Sequence, residues 1–179
     1  MHPFEIDAAL KTLTVLVDTR EQPTERLKKR LSDMGVPSQR RKLDFGDYSA
    51  AVTLPDGSEL SLQYSVCVER KMDLDELCSC FCRERERFAR EFERARTAGA
   101  KMYLLVEKAS WEKAYCGAYR SRMTSQALTA SMITWLARYD CQIIMCEPKN
   151  TGRIIKEILY REMKEKLSEC LTSRGGEDV

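Results

Sequence analysis

Val66-Cys67-Val68-Glu69-Arg70-Lys71, followed by Asp73-Leu74-Asp75, is the stretch on which the fold turns. An apolar run leads straight into an acid and two bases. Alternate residues of a strand face opposite sides, so Glu69 and Lys71 point the same way at the end of a buried strand. An acid and a lysine side by side are poor core material and useful metal chemistry. The carboxylate can hold a divalent cation, and the ammonium can orient a water molecule or neutralise a developing charge. A surface strand of mixed charge has the same local pattern, so the surroundings must decide.

Working outward, the apolar spacing of Leu74, Leu77, Cys78, Phe81, Phe88, Phe92 and Ala95 predicts one long helix over 73–98, charged on its other face and stopped at Ala98-Gly99. Buried strands are predicted at 101–107 and 142–146, and helices at 110–116, 125–139 and 151–167. Upstream, residues 1–11 are a short arm with one helical turn. A β-branched apolar run at 12–17 ends at Asp18 and reads as a buried strand. A helix follows at 24–34 with Gly35 as its stop. Residues 37–43 are a basic strand or loop, and 46–54 and 59–64 form a hairpin about Pro55-Asp56-Gly57-Ser58. Helices alternating with buried strands imply an α/β domain, a mixed sheet with helices on both faces. The chain divides into the arm, a single domain at 12–170 and a polar tail at 171–179 that is expected to be disordered.

The 179 residues are 32% charged, but the net charge is only +2, so affinity for nucleic acid must come from local patches. Residues 20–42 form one such patch, with eight basic and three acidic side chains. Part of it is an ordinary solvated helix face. The start lacks a basic region followed by an apolar one, and no apolar run approaches the roughly 18 residues of a membrane helix. Eight cysteines lack the paired spacing of a zinc site and are expected as free thiols in a reducing cytoplasm. His2 is the only histidine, which argues against Ser-His and Cys-His hydrolases. No G-x-x-x-x-G-K-[ST] loop is present, which weakens nucleotide hydrolysis. Trp111 and Trp135 read as core. Tyr115, Tyr119, Arg120 and Arg122 form a small basic–aromatic segment, either a backbone track for nucleic acid or a plain polar loop.

Acids gather at predicted strand ends: Asp18, Asp47, Glu69, and Asp75 in the next helical turn. Convergent carboxylates suit a hard cation that keeps several waters and leaves room for a substrate phosphate. Read together, Asp18-Thr19-Arg20-Glu21, Gly46-Asp47-Tyr48 and Glu69-Arg70-Lys71 with Asp75 resemble the nuclease domain of XPF-type structure-specific endonucleases, whose pattern is D-x-R-E, then G-D, then E-R-K-x-x-x-D. The likeness covers roughly residues 12–147. It implies a restriction-endonuclease-like fold and a Mg²⁺-dependent DNA endonuclease, with Mn²⁺ as an alternative ion, acting on branched, flap or nicked DNA.

The resemblance also implies roles. Asp47 and Glu69 would be the principal metal ligands, and Lys71 would position or activate the water. Asp18, Arg20 and Glu21 would flank the site, while Arg70 and Asp75 would brace it or contact phosphate. Arg20, Arg70, Arg83 and Arg87 are the candidate DNA contacts. Arg87-Phe88 resembles the family's G-R-F-x-x-Q stretch, with Glu86 in place of the glycine and Glu91 in place of the glutamine. Family members work as homodimers or heterodimers. The helix-hairpin-helix module and helicase region of larger relatives are not found, so a stand-alone domain of bacterial or phage origin, working on the nucleoid, is expected. A non-catalytic DNA-binding scaffold is the rival reading. The retained acids and lysine count against it.

Overall fold

The computed structural model describes residues 3–172, and side chains from 4 to 170. The predicted tail falls largely outside the described residues. The elements run α1 (Pro3–Leu10), β1 (Thr14–Asp18), α2 (Glu25–Met34), β2 (Ser38–Arg41), β3 (Tyr48–Thr53), β4 (Glu59–Ser61), β5 (Val66–Lys71), α3 (Leu74–Phe81) and α4 (Arg85–Thr97). There follow β6 (Lys101–Glu107), α5 (Trp111–Tyr115), α6 (Ser125–Tyr139), β7 (Gln142–Cys146), a 3-10 turn (Pro148–Asn150) and α7 (Thr151–Thr172). The sheet order is β2-β1-β3-β5-β6-β7, with β4 also paired to β3. β1 and β2 are parallel, β1–β3 and β3–β5 antiparallel, and β5, β6 and β7 parallel.

Strand alternation divides the interior into two layers. Cys67 of β5 and Met102, Leu104 and Val106 of β6 pack with α3, α4 and α6. Val66 and Val68, with Val15, Val17, Tyr48 and Leu105, pack with α1, α2 and α7. Both faces of the central strands are therefore covered, as parallel strands require. The β5 side chains thus sort by parity: Glu69 and Lys71 share the Cys67 face, and Arg70 shares the Val68 face.

Three local expectations need correction. The stripe that predicts one helix over 73–98 is served by two helices. The chain breaks after Phe81, where Cys82 adopts φ −106°, ψ −85° and its N–H reaches back to the Cys78 and Ser79 carbonyls. No glycine or proline marks the break. Phe81, Phe88 and Phe92 from the two pieces surround Trp135, with ring centres 4.9, 5.7 and 6.3 Å from it. Secondly, the N-terminal arm is an eight-residue helix rather than one turn. Its Ile6, Ala9 and Leu10 are buried in the core that holds Ile155, Leu159 and Met163 of α7. Thirdly, the strand predicted from Gly46 begins at Tyr48. Gly46-Asp47 is a tight approach to β5 instead. Gly46 has φ 71°, and a Cβ there would lie 2.7 Å from that of Cys67.

Elsewhere the local chemistry acts as expected. Thr24 caps α2 by accepting from the Leu27 amide, and Gly35 ends it in the left-handed region. The described cysteines are free thiols. Among the described residues no helix is long and apolar enough to cross a membrane.

Candidate active site

Glu69 and Lys71 end β5 almost out of reach of solvent, 3% and 7% exposed. Lys71 Nζ donates to Glu69 Oε1 at 2.5 Å and lies 3.9 Å from Glu76 Oε1. The ammonium also stands 5.1 Å from the centre of the Phe88 ring, a favourable cation–π placement. Glu76 is held by the Met72 amide and by the Asp73 cap of α3.

Asp47 reaches the same place from the loop before β3. Its N–H donates to the Val68 carbonyl at 2.9 Å, and its Oδ2 accepts from the Arg70 N–H at 2.8 Å. Asp47 therefore brackets the two peptide groups of Glu69. Its own carbonyl accepts from the Asp18 amide, and the preceding Gly46 N–H donates to Glu91 Oε1 at 2.9 Å.

Glu69 is buried and Asp47 half-buried, and the two carboxylates feel each other's charge. Burial and the charge of Glu69 push the Asp47 carboxyl well above the usual range. Burial also raises Glu69; Lys71 opposes this and Glu91 adds to it. Burial works against the Lys71 ammonium, but the Glu69 charge outweighs it and holds the proton more tightly than usual. Glu69 Oε2 is buried with no hydrogen-bond partner. An orphaned carboxylate oxygen beside a second repelled carboxylate is the environment that a divalent cation relieves. No group of three His, Cys, Asp or Glu side chains is gathered for a metal among the described residues. Two carboxylates suffice for Mg²⁺, which keeps most of its waters. The donor set fits such an ion.

Asp18 lies at the end of the neighbouring strand, but its carboxylate is occupied. It accepts from the Arg20 amide, Arg20 Nε and the Leu43 amide, each at 2.7 Å. These bonds outweigh the effect of burial and hold its carboxyl below the usual range. Arg20, so anchored, lies 3.7 Å from Glu91. Glu21 accepts from the Tyr48 hydroxyl at 3.1 Å and sits 3.7 Å from Arg30.

Arg70 lies on the opposite face of β5. Its guanidinium is 3.4 Å from Glu107, which is also 3.6 Å from Arg30, and Arg30 donates to the Tyr48 hydroxyl at 2.7 Å. Asp75 is turned to another neighbour. It accepts from the Arg120 and Ser121 amides and from Arg120 Nε, tying α3 to the loop before α6. There it lines a cleft of about 770 Å³ with Arg83, Arg120 and Arg122. Tyr119 donates its hydroxyl to the Met123 carbonyl within that loop. Arg87 is exposed on α4 and paired with Glu84.

A family profile described as the ERCC4 domain matches residues 17–158. The chain belongs to the ERCC4 domain family. Two solved structures share its fold. XPF from Aeropyrum pernix is 22% identical, covers 81% of this chain and 64% of its own, and superposes with a TM-score of 0.57. XPF from Aeropyrum pernix in complex with DNA is 25% identical over 86% of this chain and 66% of its own, with a TM-score of 0.58. The chain thus spans just under two thirds of the length of these relatives. No curated protein matched.

The matched span of this ERCC4 domain runs from β1 into α7 and contains all three sequence blocks. Five residues of the site are not singled out as functional by the sequence: Glu76, Glu91, Arg30, Tyr48 and Glu107. Glu76 stands 3.9 Å from Lys71. Glu91 shows in the sequence only as a departure from the family pattern, yet it holds the Gly46 amide and so the loop that presents Asp47. Arg30, Tyr48 and Glu107 form the ion network on the far face. Glu107 ends an apolar strand as Glu69 does, and that was the available signal.

Proposed function

We propose that this ERCC4 domain is a metal-dependent endonuclease that cleaves DNA at branches, flaps or nicks. The observation that carries the reading is the Asp47–Glu69 pair beside Lys71, with Asp47 half-buried, Glu69 buried and Glu69 Oε2 left unpartnered. Asp47 and Glu69 would hold a Mg²⁺ or Mn²⁺ ion, whose chemistry when bound is to polarise the phosphoryl oxygens and sharpen a water nucleophile. Lys71 stays protonated, so it acts as a donor rather than a base. It orients the attacking water and offsets negative charge that builds on the phosphate. Glu91 and Gly46 keep Asp47 against β5. Asp18 fixes Arg20 at the rim, where the guanidinium can meet a DNA phosphate. Asp75 fixes the loop that carries Arg120 and Arg122.

XPF from Aeropyrum pernix has been solved in complex with DNA, which supports DNA as the substrate class. The free cysteines agree with a reducing cytoplasm where nucleoid DNA is found. We also propose that a second ERCC4 domain, this chain or a relative, docks on the open edge at β7. That edge strand has half-buried Ile143, Ile144 and Met145, and the neighbouring α6 exposes Ile133.

The direct test is a panel of labelled duplex, flap, fork and single-stranded DNAs, incubated with Mg²⁺ or with chelator. Cleavage of a branched substrate with Mg²⁺ alone is expected. Asp47→Asn and Glu69→Gln should lower it by about 100-fold or more, since even outer partners of a metal ligand are worth about 10–100-fold. Binding in chelator with no cleavage in Mg²⁺ or Mn²⁺ would support the scaffold reading instead.

A further inference from the structure

Some exposed basic side chains are cancelled locally, Lys28 by Glu25, Arg90 by Glu86 and Arg161 by Glu157, and others have no acidic partner among the described residues. A cleft on the α2 face gathers three of the second kind. It measures about 330 Å³ and opens between α2, Met72 just after β5, Lys108 just after β6, and the 3-10 turn at Lys149. Arg26, Lys29, Arg30 and Asp33 line it from one side of α2, at the three- and four-residue spacing of a single helix face. Lys29 is paired with Asp33, and Arg30 with Glu107. Among the described residues, Arg26, Lys108 and Lys149 have no acidic partner. Arg26 Nη1 donates to the Met72 sulfur at 3.1 Å.

Lys108 has φ 53°, a conformation that a lysine rarely adopts. The turn it makes brings its side chain to the cleft wall directly after Glu107. A second hollow of about 280 Å³ shares Arg26, Arg30, Met72 and Glu107, and continues to Arg70 and Arg20. Arg70 Nε is buried there without a hydrogen-bond partner. The unpaired Arg26, Lys108 and Lys149 thus line the outer cleft, and the paired Arg30, Arg70 and Arg20 carry basic side chains on to the rim of the Asp47–Glu69 site.

The Arg83–Arg122 cleft lies on the other side of the sheet. α2 packs in the core layer of Val17 and Val68, and α3 in that of Cys67 and Leu104. Both clefts open where the chain leaves β5, one at Met72 and the other at Asp75. We propose that the α2-face cleft is a second backbone-binding site, taking the phosphates of one duplex arm of a DNA whose other arm lies in the Arg83–Arg122 cleft. The inference rests on DNA being the ligand, as proposed above. It adds an expectation for a branched substrate: its arms are held at two places, on opposite faces of the sheet.

The test is fluorescence anisotropy in chelator, with a three-armed fork and a linear duplex of equal length, over a range of salt. Arg26→Ala/Lys108→Ala/Lys149→Ala should weaken fork binding at least tenfold at low salt. Each phosphate contact contributes about 0.9 to the slope of log K against log salt, so the slope should fall by about 2 to 3. The linear duplex should lose less. Lys11→Ala/Lys164→Ala, which removes unpaired exposed charge elsewhere, should change neither quantity. An unchanged slope in the triple variant, or an equal fall in the control, overturns the proposal. If the triple variant does not fold, Lys149→Ala alone should lower the slope by about 0.9, and no change in that variant overturns it too. Because the assay needs no cleavage, it is separate from the nuclease reading. Asp47→Asn should abolish cutting and still bind the fork.

Discussion

Asp47 and Glu69 are held together against their mutual repulsion, and that sets how the protein responds to pH. Both carboxyls are raised in the fold, Asp47 by burial and then by Glu69, and Glu69 by burial and then by Glu91 despite Lys71. A group with a raised native pKa binds its proton more tightly folded than unfolded. The metal-free protein should therefore lose stability as pH climbs from the ordinary carboxylate range, about 4, through the raised native values. Asp18 has the opposite sign: its stabilisation is present above the ordinary range and is lost only as pH falls below it. Asp47→Asn removes one repelled charge and keeps an acceptor for the Arg70 amide. In chelator at pH 8 it should raise stability by on the order of 1 kcal/mol, or about 2–4 °C in a domain of this size. Thermal melts from pH 5 to 8 would show it as a flatter profile for the variant. A steeper profile would mean that the pair is not strained. Asp18 could be read from the sequence as an acid at a strand end, but not as one whose oxygens are already taken. Its partners, Arg20 and Leu43, are known only once the loops are placed.

At the scale of elements, β5 was the most legible part. Parity alone puts Glu69 with Lys71, and the same parity sends Arg70 to the other face, where it meets Glu107. The break between α3 and α4 was hidden because the apolar stripe keeps its spacing across it and no helix breaker marks it. The Arg30–Tyr48–Glu107 network was hidden for a different reason. It joins a helix to two strands, and no local pattern reports such contacts. The loop ahead of β3 depends on one glycine. Gly46 combines a positive φ with a Cβ direction blocked by Cys67. Gly46→Ala should cost about 2–4 kcal/mol, from left-handed strain plus overpacking. Urea denaturation should reveal this, together with loss of cleavage as Asp47 is displaced. A variant that keeps both stability and activity would show that the loop can move without consequence.

For the whole molecule, the small net charge conceals a division of labour. Cations without an acidic partner gather at two clefts, Arg26, Lys108 and Lys149 in one and Arg83 and Arg122 in the other, on either side of the sheet end. The sheet edge at β7, with α6 beside it, is apolar rather than charged. If a second ERCC4 domain docks there, Ile133→Asp should shift the protein toward monomer in light scattering across a concentration series. A wild-type monomer at high concentration would retire the dimer. Whether Asp47 and Glu69 share one cation is read most directly by titrating Mn²⁺ into the metal-free protein and following bound ion by electron paramagnetic resonance. One site per chain in the wild type, lost in Asp47→Asn but retained in Asp75→Asn, is the predicted result. Equal binding by the wild type and Asp47→Asn, or no binding by either, would contradict it.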